Sequence, residues 1–396
     1  MRTQKALDRR RLLGGAAGFA ALGLAGCAAT GTSRRPAFAA APPLAPLRAS
    51  LDRLFDITVC LRPFRAAGPR LDTEQVGGKL VVHNYGHGGS GWSLSWGSAT
   101  SAVRKAMQAS PKEIAVVGCG ALGLTSALVA QQAGASVTIY ARDLLPETRS
   151  ARATGSWTPD SRIALAGSAA PDFPALWEEM ARISFKTYRR YLGLPGNPVE
   201  WSDRYYLSGG SHIHAPVEGL DFASYSERIR DITPKSEDLA DGSTPFPATS
   251  SVRRTSLMQF NIADYGHTLM SDFLAGGGKV VRTEFASLGE VSRLKEKVVI
   301  NCPGYGARAL CKDETVVPVR GQIGWLIPQP EVNYGLYYDG VSMLSRRDGI
   351  VVQVLSGGDM RGYGDANETV DRAESEDAVG TLAGLYARFG AQSAIG

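Results

Sequence analysis

Residues 113–123 read EIAVVGCGALG, and this stretch decides the fold class of the chain. Its first five residues form a short, β-branched run that is typical of a buried parallel strand. Three glycines, Gly118, Gly120 and Gly123, follow at once. Glycines at this spacing allow a tight turn, a close approach of the backbone to a pyrophosphate, and close packing of a helix on a strand.

The residues that follow supply the context which this glycine pattern requires. Residues 122–132 have helical composition, Gly134 is suited to end that helix, and residues 137–140 read as a second strand. Strand, glycine turn, helix and strand together predict a Rossmann-like dinucleotide site. The first helical residues, Ala121 and Leu122, would then present backbone N–H groups to phosphates.

Two charged residues come directly after the second strand. Asp143 lies twenty residues beyond Gly123, a suitable distance for binding ribose hydroxyls. Arg142 stands where many flavin and NAD proteins place the acidic residue. The sequence leaves open which of the two side chains contacts the adenosine half of a dinucleotide.

A second glycine-dense stretch lies earlier in the chain. Residues 82–93 read VHNYGHGGSGWS, and five glycines fall within residues 86–97. They allow the backbone to approach a flat ring closely, and a helix predicted to begin nearby would direct positive partial charge toward that ring. His83 and His87 are four residues apart but lie in this loop, so we expect hydrogen-bonding residues rather than metal ligands.

These motifs resemble those of the D-amino-acid oxidase family. The stretch 82–93 resembles its flavin-cradling loop, and 113–123 resembles its dinucleotide fingerprint. Segments 153–159, 298–304 and 318–323 resemble a turn beside the flavin, a late strand with its turn, and an Arg-Gly-Gln turn. The fingerprint opens the chain in that family and the loop lies near the end. The inverted order here predicts a circular permutation.

The resemblance implies an FAD enzyme that oxidatively deaminates D-amino acids to 2-oxo acids, ammonia and hydrogen peroxide, with oxygen as acceptor. Two alternatives stay open: a related flavin amine oxidase of the glycine or sarcosine type, and a flavin-binding protein without turnover. An NAD-dependent dehydrogenase fits the fingerprint but not residues 60–93. No metal site is expected.

The resemblance also implies the residues of the site. Arg62 corresponds to the arginine that binds the substrate α-carboxylate, where a planar guanidinium fixes position and orientation with two charge-assisted bonds. Met343 stands where a family tyrosine is expected, and Tyr337 or Tyr338 would replace a second family tyrosine, with Tyr338 the closer match. The expected FAD-binding residues are Gly88, Gly89, Gly91, Trp92, Ser93, Gly118, Gly120, Ala121, Leu122, Gly123, Arg142, Asp143, Gly155 and Ser156.

The expected fold class is α/β, or α+β overall, with two discontinuous domains. The Rossmann-like FAD-binding domain would combine residues 72–160 and 250–312. A substrate domain with a mixed or antiparallel sheet would combine residues 51–71, 161–249 and 313–396. Residues 255–274 are expected to form a helix of the FAD-binding domain.

Residues 1–50 read as a leader and tether. They hold eight basic residues and one acid, a charge of +7, so the remainder of this +5 chain carries 5 − 7 = −2, which argues against a nucleic-acid partner. Arginines precede an apolar stretch that ends at Cys27 in a lipoprotein-like sequence. We expect export to the periplasm, with lipid anchoring at Cys27 or simple cleavage both open. The other cysteines, which are scattered, are expected to be buried thiols or free rather than part of a disulfide framework.

Overall fold

The computed structural model describes residues 44–208, 219–247 and 251–389. Most of the expected leader, including Cys27, lies outside these residues. Within the described ranges, no helix is both long and apolar enough to cross a membrane.

A six-stranded sheet contains the glycine fingerprint. Its strand order is β2-β3-β10-β4-β5-β9, and all neighbours are parallel except the edge pair β2–β3. Its strands are β2 (Thr73–Val76), β3 (Lys79–His83), β4 (Glu113–Val117), β5 (Ser136–Ala141), β9 (Lys279–Arg282) and β10 (Val298–Asn301). The central strand β4 is buried on both faces because helices cover one side and a smaller apolar cluster the other.

Four helices pack around the apolar core of this sheet. They are α1 (Gly91–Ala106), α2 (Ala121–Gln132), α3 (Phe173–Tyr188) and α4 (Ile262–Ala275). Nearly every residue in the first two turns of α2 is buried, so this helix lies in the interior of the layer. A short helix, α5 (Ala307–Leu310), follows the strand β10.

An eight-stranded mixed sheet forms the second layer, in the order β1-β11-β14-β13-β12-β6-β8-β7. Only the pair β12–β6 is parallel. Its strands are β1 (Leu54–Phe64), β6 (Val199–Leu207), β7 (Glu237–Leu239), β8 (Val252–Phe260), β11 (Val317–Leu326), β12 (Tyr334–Tyr338), β13 (Val341–Arg346) and β14 (Gly349–Val354). Helix α6 (Arg372–Tyr386) packs its apolar side on one face of this sheet. The α/β fold class with a second, mixed sheet is therefore confirmed.

Two local expectations are wrong. Residues 255–260 belong to strand β8, which pairs along its length with β6, and the helix begins only at Ile262. The run VRRTSLMQF is rich in residues that suit a strand, and its pairing with β6 outweighs helical propensity. The Arg320-Gly321-Gln322 segment lies inside strand β11 rather than in a turn. Strand β8 thus lies in the eight-stranded sheet, while the division into two domains stays a prediction.

Helices α1 and α3 approach each other at Gly97. A Cβ atom there would lie 2.2 Å from the Met180 carbonyl oxygen, and the Gly97 N–H donates to the Ser184 hydroxyl at 2.9 Å. Both of these contacting residues belong to α3, and the Met180 carbonyl oxygen, as a main-chain atom, cannot rotate away from a new side chain. The absence of a side chain at this position therefore sets the distance between the two helices.

We expect Gly97→Ala to lower the free energy of unfolding by about 1–3 kcal/mol, because two packed backbones must separate. Gly380→Ala is the matched control, since Gly380 is also helical but a Cβ atom there meets nothing within 4 Å. The free energy of unfolding of Gly380→Ala should rise by about 0.5–1 kcal/mol, because alanine has the higher helix propensity. Urea unfolding of both variants gives the measurement, and equal effects would contradict the packing argument.

Candidate active site

A cleft of about 920 Å³ opens at the carboxyl ends of the parallel strands β4, β5 and β10. This edge is where open α/β sheets bind their ligands. The face of the eight-stranded sheet turned away from α6 forms the opposite side, with Gly321, Ile323, Ser342 and Gln353 among its lining residues. Both glycine-dense stretches line this one cleft.

The fingerprint turn is packed backbone against backbone. Gly118 has φ +99°, and a Cβ atom there would lie 2.3 Å from the Cys302 carbonyl oxygen. A Cβ atom at Gly123 would lie 2.0 Å from the Gly118 carbonyl oxygen. Gly123 does not line the cleft, so its contribution is to bring helix α2 close to the turn. Gly118 and Gly120 line the cleft directly.

Helix α2 directs its N-terminus into the cleft. Its N-cap residue, Gly120, provides no capping side chain, and Ala121 and Leu122 line the cleft. The Ala121 N–H donates to the Ser150 hydroxyl at 3.0 Å, while the Ser150 carbonyl accepts from the Trp92 indole at 2.8 Å. Ser150 therefore connects the start of α2 to the start of α1.

Arg142 and Asp143 lie together where β5 ends, and both line the cleft. The Arg142 guanidinium binds Asp143 at 2.8 Å and Glu284 at 3.0 Å. Hydrogen bonding from Arg142 holds the pKa of the Asp143 carboxyl below its usual range. This carboxylate is therefore ionised at neutral pH and can accept hydrogen bonds from hydroxyl groups.

The loop between β3 and α1 lies against the segment that follows Ser150. A Cβ atom at Gly88, which has φ +54°, would lie 1.9 Å from the Arg162 carbonyl oxygen, and one at Gly89 would lie 2.5 Å from the Ser161 hydroxyl. Only glycine fits at either position. Gly88, Gly89, Gly91 and Trp92 line the cleft, as do Gly155 and Ser156 from the adjacent segment.

Ser93 does not lie where the sequence predicts. Its side chain is buried, accepts a hydrogen bond from the Thr158 N–H at 2.8 Å, and does not line the cleft. As the third residue of helix α1, it points away from the cleft that the preceding Trp92 faces. Ser93 fixes the 156–158 segment on α1 instead of contacting a ligand.

His83 and His87 are both buried hydrogen-bonding residues. The His87 Nε2 lies 2.7 Å from the Ser98 hydroxyl, and that hydroxyl donates to Asn84 at 2.6 Å. His83 lies beside Asn301, away from the cleft. Burial lowers the pKa of His87 to about 3, so this imidazole is neutral at physiological pH. Among the described residues, no group of three His, Cys, Asp or Glu side chains is placed to hold a metal ion.

Arg62 extends from β1 into the cleft. Its guanidinium lies across Gly321 of β11, where a Cβ atom would come within 2.3 Å of it. It donates to the Arg320 carbonyl at 3.2 Å and forms no ion pair with a carboxylate of the described residues. Burial lowers the pKa of Arg62 from its usual value, although an arginine stays protonated at neutral pH. The side chain is therefore a partly buried cation in the cleft whose guanidinium pairs with no carboxylate of the described residues.

Tyr338 and Met343 are not in the cleft. Both are buried in the apolar cluster beneath helix α6, and the Tyr338 hydroxyl accepts from Arg388 at 3.0 Å. Side chains alternate along a strand, so their neighbours Tyr337 and Ser342 face the cleft instead. The placement of Tyr338 in the site is therefore wrong. Met343 does not contact the cleft, and the hydroxyl group that β13 presents to the cleft belongs to Ser342.

Three polar residues of the cleft were not predicted from the sequence: Arg162, Arg204 and Gln353. The Arg162 guanidinium donates to the Asp359 carbonyl at 2.7 Å and the Gly358 carbonyl at 3.0 Å. Gln353 accepts from the Thr154 hydroxyl at 2.9 Å. Each lies on a strand or loop distant in sequence from the glycine motifs, so only the fold brings them together.

Three cysteines line the cleft as free thiols: Cys60, Cys119 and Cys302. Burial raises the pKa of the Cys119 and Cys302 thiols to about 12, and it raises the pKa of Cys60 as well. Cys302 and Cys311, which are near each other in sequence, are both free. These thiols stay protonated at neutral pH and act as small buried side chains.

His87 should make the protein less stable in acid. Its folded pKa, about 3, lies below the unfolded value near 6.5, so the unfolded chain binds the additional proton as the pH falls between them. This residue should therefore lower the free energy of unfolding by about 1.4 kcal/mol per pH unit below pH 6. His87→Gln should reduce that slope in urea unfolding at pH 4 to 6. The control His267→Gln changes an exposed histidine and should leave the slope unaltered.

The residues around the cleft fit a flavin dinucleotide. The cleft is lined by three glycines, Gly88, Gly118 and Gly120, at each of which a Cβ atom would collide with a neighbouring residue. The start of α2, which has no capping side chain, suits a pyrophosphate. The volume of the cleft is also of the size used for cofactors. The circular order of the two motifs stays a prediction.

Comparison with known proteins gives the family. Residues 113–394 match the family model DAO, FAD dependent oxidoreductase. The D-amino-acid oxidase of Streptomyces coelicolor is 31% identical over 214 residues, which is 53% of this chain and 58% of that protein. The D-amino-acid oxidase of Rubrobacter xylanophilus is 27% identical over 209 residues, 52% of this chain and 57% of that protein. The chain thus spans little more than half the length of these curated relatives.

Solved structures that match this chain include iminodiacetate oxidase from Chelativorans sp. BNC1, at 14% identity and a TM-score of 0.47, covering 69% of this chain and 79% of that one. Glycine oxidase from Geobacillus kaustophilus follows at 12% identity and a TM-score of 0.45, covering 70% and 77%. The sequence match to the family model, which includes β4, the glycine fingerprint and most of the eight-stranded sheet, carries the assignment. The chain belongs to the DAO family of FAD-dependent oxidoreductases.

Proposed function

We propose that this protein oxidatively deaminates D-amino acids to 2-oxo acids, ammonia and hydrogen peroxide, with oxygen as the electron acceptor. The observation that carries the proposal is Arg62, a partly buried cation that has no carboxylate partner among the described residues and lies in the cleft that both glycine motifs line. The relatives from Streptomyces coelicolor and Rubrobacter xylanophilus, named as D-amino-acid oxidases, support the same substrate class.

Bound FAD would supply the electron acceptor for oxidation of the substrate Cα–N bond. The chain holds it through the fingerprint Gly118, Gly120 and the start of α2 at its pyrophosphate, with Asp143 as an acceptor for ribose hydroxyls. Gly88, Gly89 and Gly155 line the cleft, and their lack of side chains lets the segments that would face the flavin pack directly against Arg162, Ser161 and Phe260.

Arg62 fixes the substrate by its α-carboxylate. Two parallel N–H···O bonds would set both the position and the roll of the amino acid, which a lysine ammonium cannot do. Positioning of this kind supplies a large part of the rate enhancement for a reaction that needs no protein base. The neutral His87 does not compete with Arg62 for the carboxylate, and the protonated thiols add no negative charge that would repel it.

The first test is direct turnover. The purified, FAD-loaded protein should release hydrogen peroxide with D-amino acids and not with their L-enantiomers. Glycine and sarcosine belong in the same panel, because a preference for them would favour the related amine oxidase over the proposed activity. No peroxide with any amine would end the proposal.

Arg62→Ala should lower kcat/KM for D-amino acids by about 100-fold or more, since the substrate carboxylate loses a partly buried, charge-assisted partner. Arg62→Lys should recover only part of that loss, because the ammonium retains the charge without the planar geometry. Arg372→Ala is the control, since Arg372 forms only an exposed ion pair with Glu376. Steady-state kinetics with peroxide detection measures all three, and unchanged kinetics in Arg62→Ala would refute the carboxylate role.

Gly118→Ala should yield protein with little bound FAD. The new methyl group would lie 2.3 Å from the Cys302 carbonyl, so the turn that approaches the pyrophosphate must move. Gly134→Ala is the matched control: Gly134 has a similar φ of +92°, but a Cβ atom there meets nothing within 4 Å. The ratio of flavin to protein absorbance is the measurement. Equal flavin loss in both variants would attribute the effect to backbone strain alone.

A further inference from the structure

Arg162 combines two features that are each unfavourable for an arginine. It carries a charge, yet the residue is only 8% exposed. Its backbone has a φ of +49°, in the left-handed region that favours glycine. Strained residues and buried charges persist where the surrounding structure holds them in place, and they cluster at sites that bind ligands. Both features therefore indicate a role for Arg162 beyond packing.

One edge of the Arg162 guanidinium is held in place and the opposite end is free. Its Nε donates to the Asp359 carbonyl at 2.7 Å, and its Nη2 donates to the Gly358 carbonyl at 3.0 Å. The remaining nitrogen, Nη1, has no hydrogen-bond partner among the described residues and, unlike the two unpartnered nitrogens of Arg204, is not fully buried. The two carbonyls thus fix the direction of a donor that a ligand can reach.

Arg162 also lines a second cavity, of about 220 Å³, which we call the side cavity. This cavity lies where the eight-stranded sheet opens, because β11 and β14 pair only from Gly324 and Val352 onward. Before that point the Arg320 N–H donates to the Gly362 carbonyl at 2.8 Å instead. The side cavity adjoins the cleft, since the two share five lining residues: Arg62, Arg162, Gly321, Gln353 and Leu355.

The side cavity is positively charged. Four arginines and two carboxylates line it: Arg62, Arg162, Arg320, Arg361, Asp365 and Glu374. Arg361 pairs with Glu374 at 2.6 Å, and Arg320 lies 3.9 Å from Asp365. Neither of these carboxylates pairs with Arg62 or Arg162, so these two arginines supply the net positive charge of the cavity.

The charges of Arg62 and Arg162 are close enough to interact. Burial lowers the pKa of Arg162 to about 10, and the positive charge of Arg62 contributes to the same shift. Asp359 offsets this repulsion only in part, because its Oδ1 lies 3.5 Å from the Arg162 Nη2 and its side chain is half exposed. An anion that contacts both guanidinium groups would relieve the repulsion.

The size of the side cavity limits which anions can contact both arginines. A roughly spherical space of this volume is about 7 Å across, and donors on its wall reach acceptors about 3 Å away. Acceptor oxygens bound by two lining arginines are then at most about 7 Å apart. The two carboxylates of D-aspartate or of D-glutamate can span that distance.

We propose that Arg162 binds the side-chain carboxylate of the substrate in the side cavity, so that the preferred substrates are the acidic D-amino acids D-aspartate and D-glutamate. This inference rests on the proposed function. Arg62 would hold the α-carboxylate where the cleft meets the side cavity, since it lines both. The side chain of the substrate would enter the side cavity past Gln353 and Leu355, which also line both spaces.

The test compares amino acids that differ in charge but hardly in shape. The FAD-loaded protein should have a kcat/KM for D-aspartate about 50-fold or more above that for D-asparagine, and D-glutamate should exceed D-glutamine similarly. Arg162→Met should lower both ratios at least about tenfold. Arg162→Lys should give intermediate ratios, which keeps the test informative if the methionine variant folds poorly. Arg253→Met is the control, because Arg253 forms an exposed ion pair with Asp238 at 2.9 Å.

A binding measurement separates this inference from the proposed function. Succinate, which is D-aspartate without its amino group, should bind the FAD-loaded protein at least about tenfold more tightly than its monoamide succinamate in calorimetry. Arg162→Met should bind the two with similar affinity. Turnover of neutral D-amino acids with no preference for acidic ones would overturn the role of Arg162 and leave the proposed function standing. Absence of turnover with every amine would overturn the proposed function, and the comparison of succinate with succinamate would then decide the role of Arg162 alone.

Discussion

The contact of three backbone segments at the end of β4 is the constraint on which the site depends. Gly118 touches the Cys302 carbonyl and Gly123 touches the Gly118 carbonyl, so β4, β10 and α2 meet without an intervening side chain. This packing brings the start of α2 to the carboxyl edge of the sheet, and Ser150 then ties it to the start of α1. The position of both cofactor-binding loops follows from these contacts.

The positive charges of the cleft come mainly from its other side, which the eight-stranded sheet forms. The eight-stranded sheet presents Arg62 and Arg204 over glycines of neighbouring strands, and Arg162 adds a third cation between the loops. Arg162 donates to the Gly358 and Asp359 carbonyls and Arg62 to the Arg320 carbonyl, whereas two nitrogens of Arg204 have no partner among the described residues. These three cations make the sheet side of the cleft positive, which suits the anionic carboxylate of the proposed substrates.

The parts of the site that sequence could predict are those fixed by local backbone geometry. The strand β4, the helix α2 and the glycines between them follow from one short pattern, because each glycine is required by its own turn. Features that depend on the pairing of distant strands could not be predicted in this way. Tyr338 and Met343 lie one residue out of the phase that faces the cleft, and a shift of one residue along a strand moves a side chain to the opposite face. Arg204 was missed for a related reason, since only the register of β6 with β12 reveals that it lies over Gly335 in the cleft.

The cleft thiols have a consequence under the proposed function, in which the protein releases hydrogen peroxide. Sulfur is attacked by peroxide through its thiolate form, and the raised pKa of Cys60, Cys119 and Cys302 keeps that form scarce. The same burial that makes these side chains useful for filling space also makes them slow to convert to sulfenic acid. Under the proposed function, hydrogen peroxide formed in the cleft would therefore meet three sulfur atoms that react with it slowly.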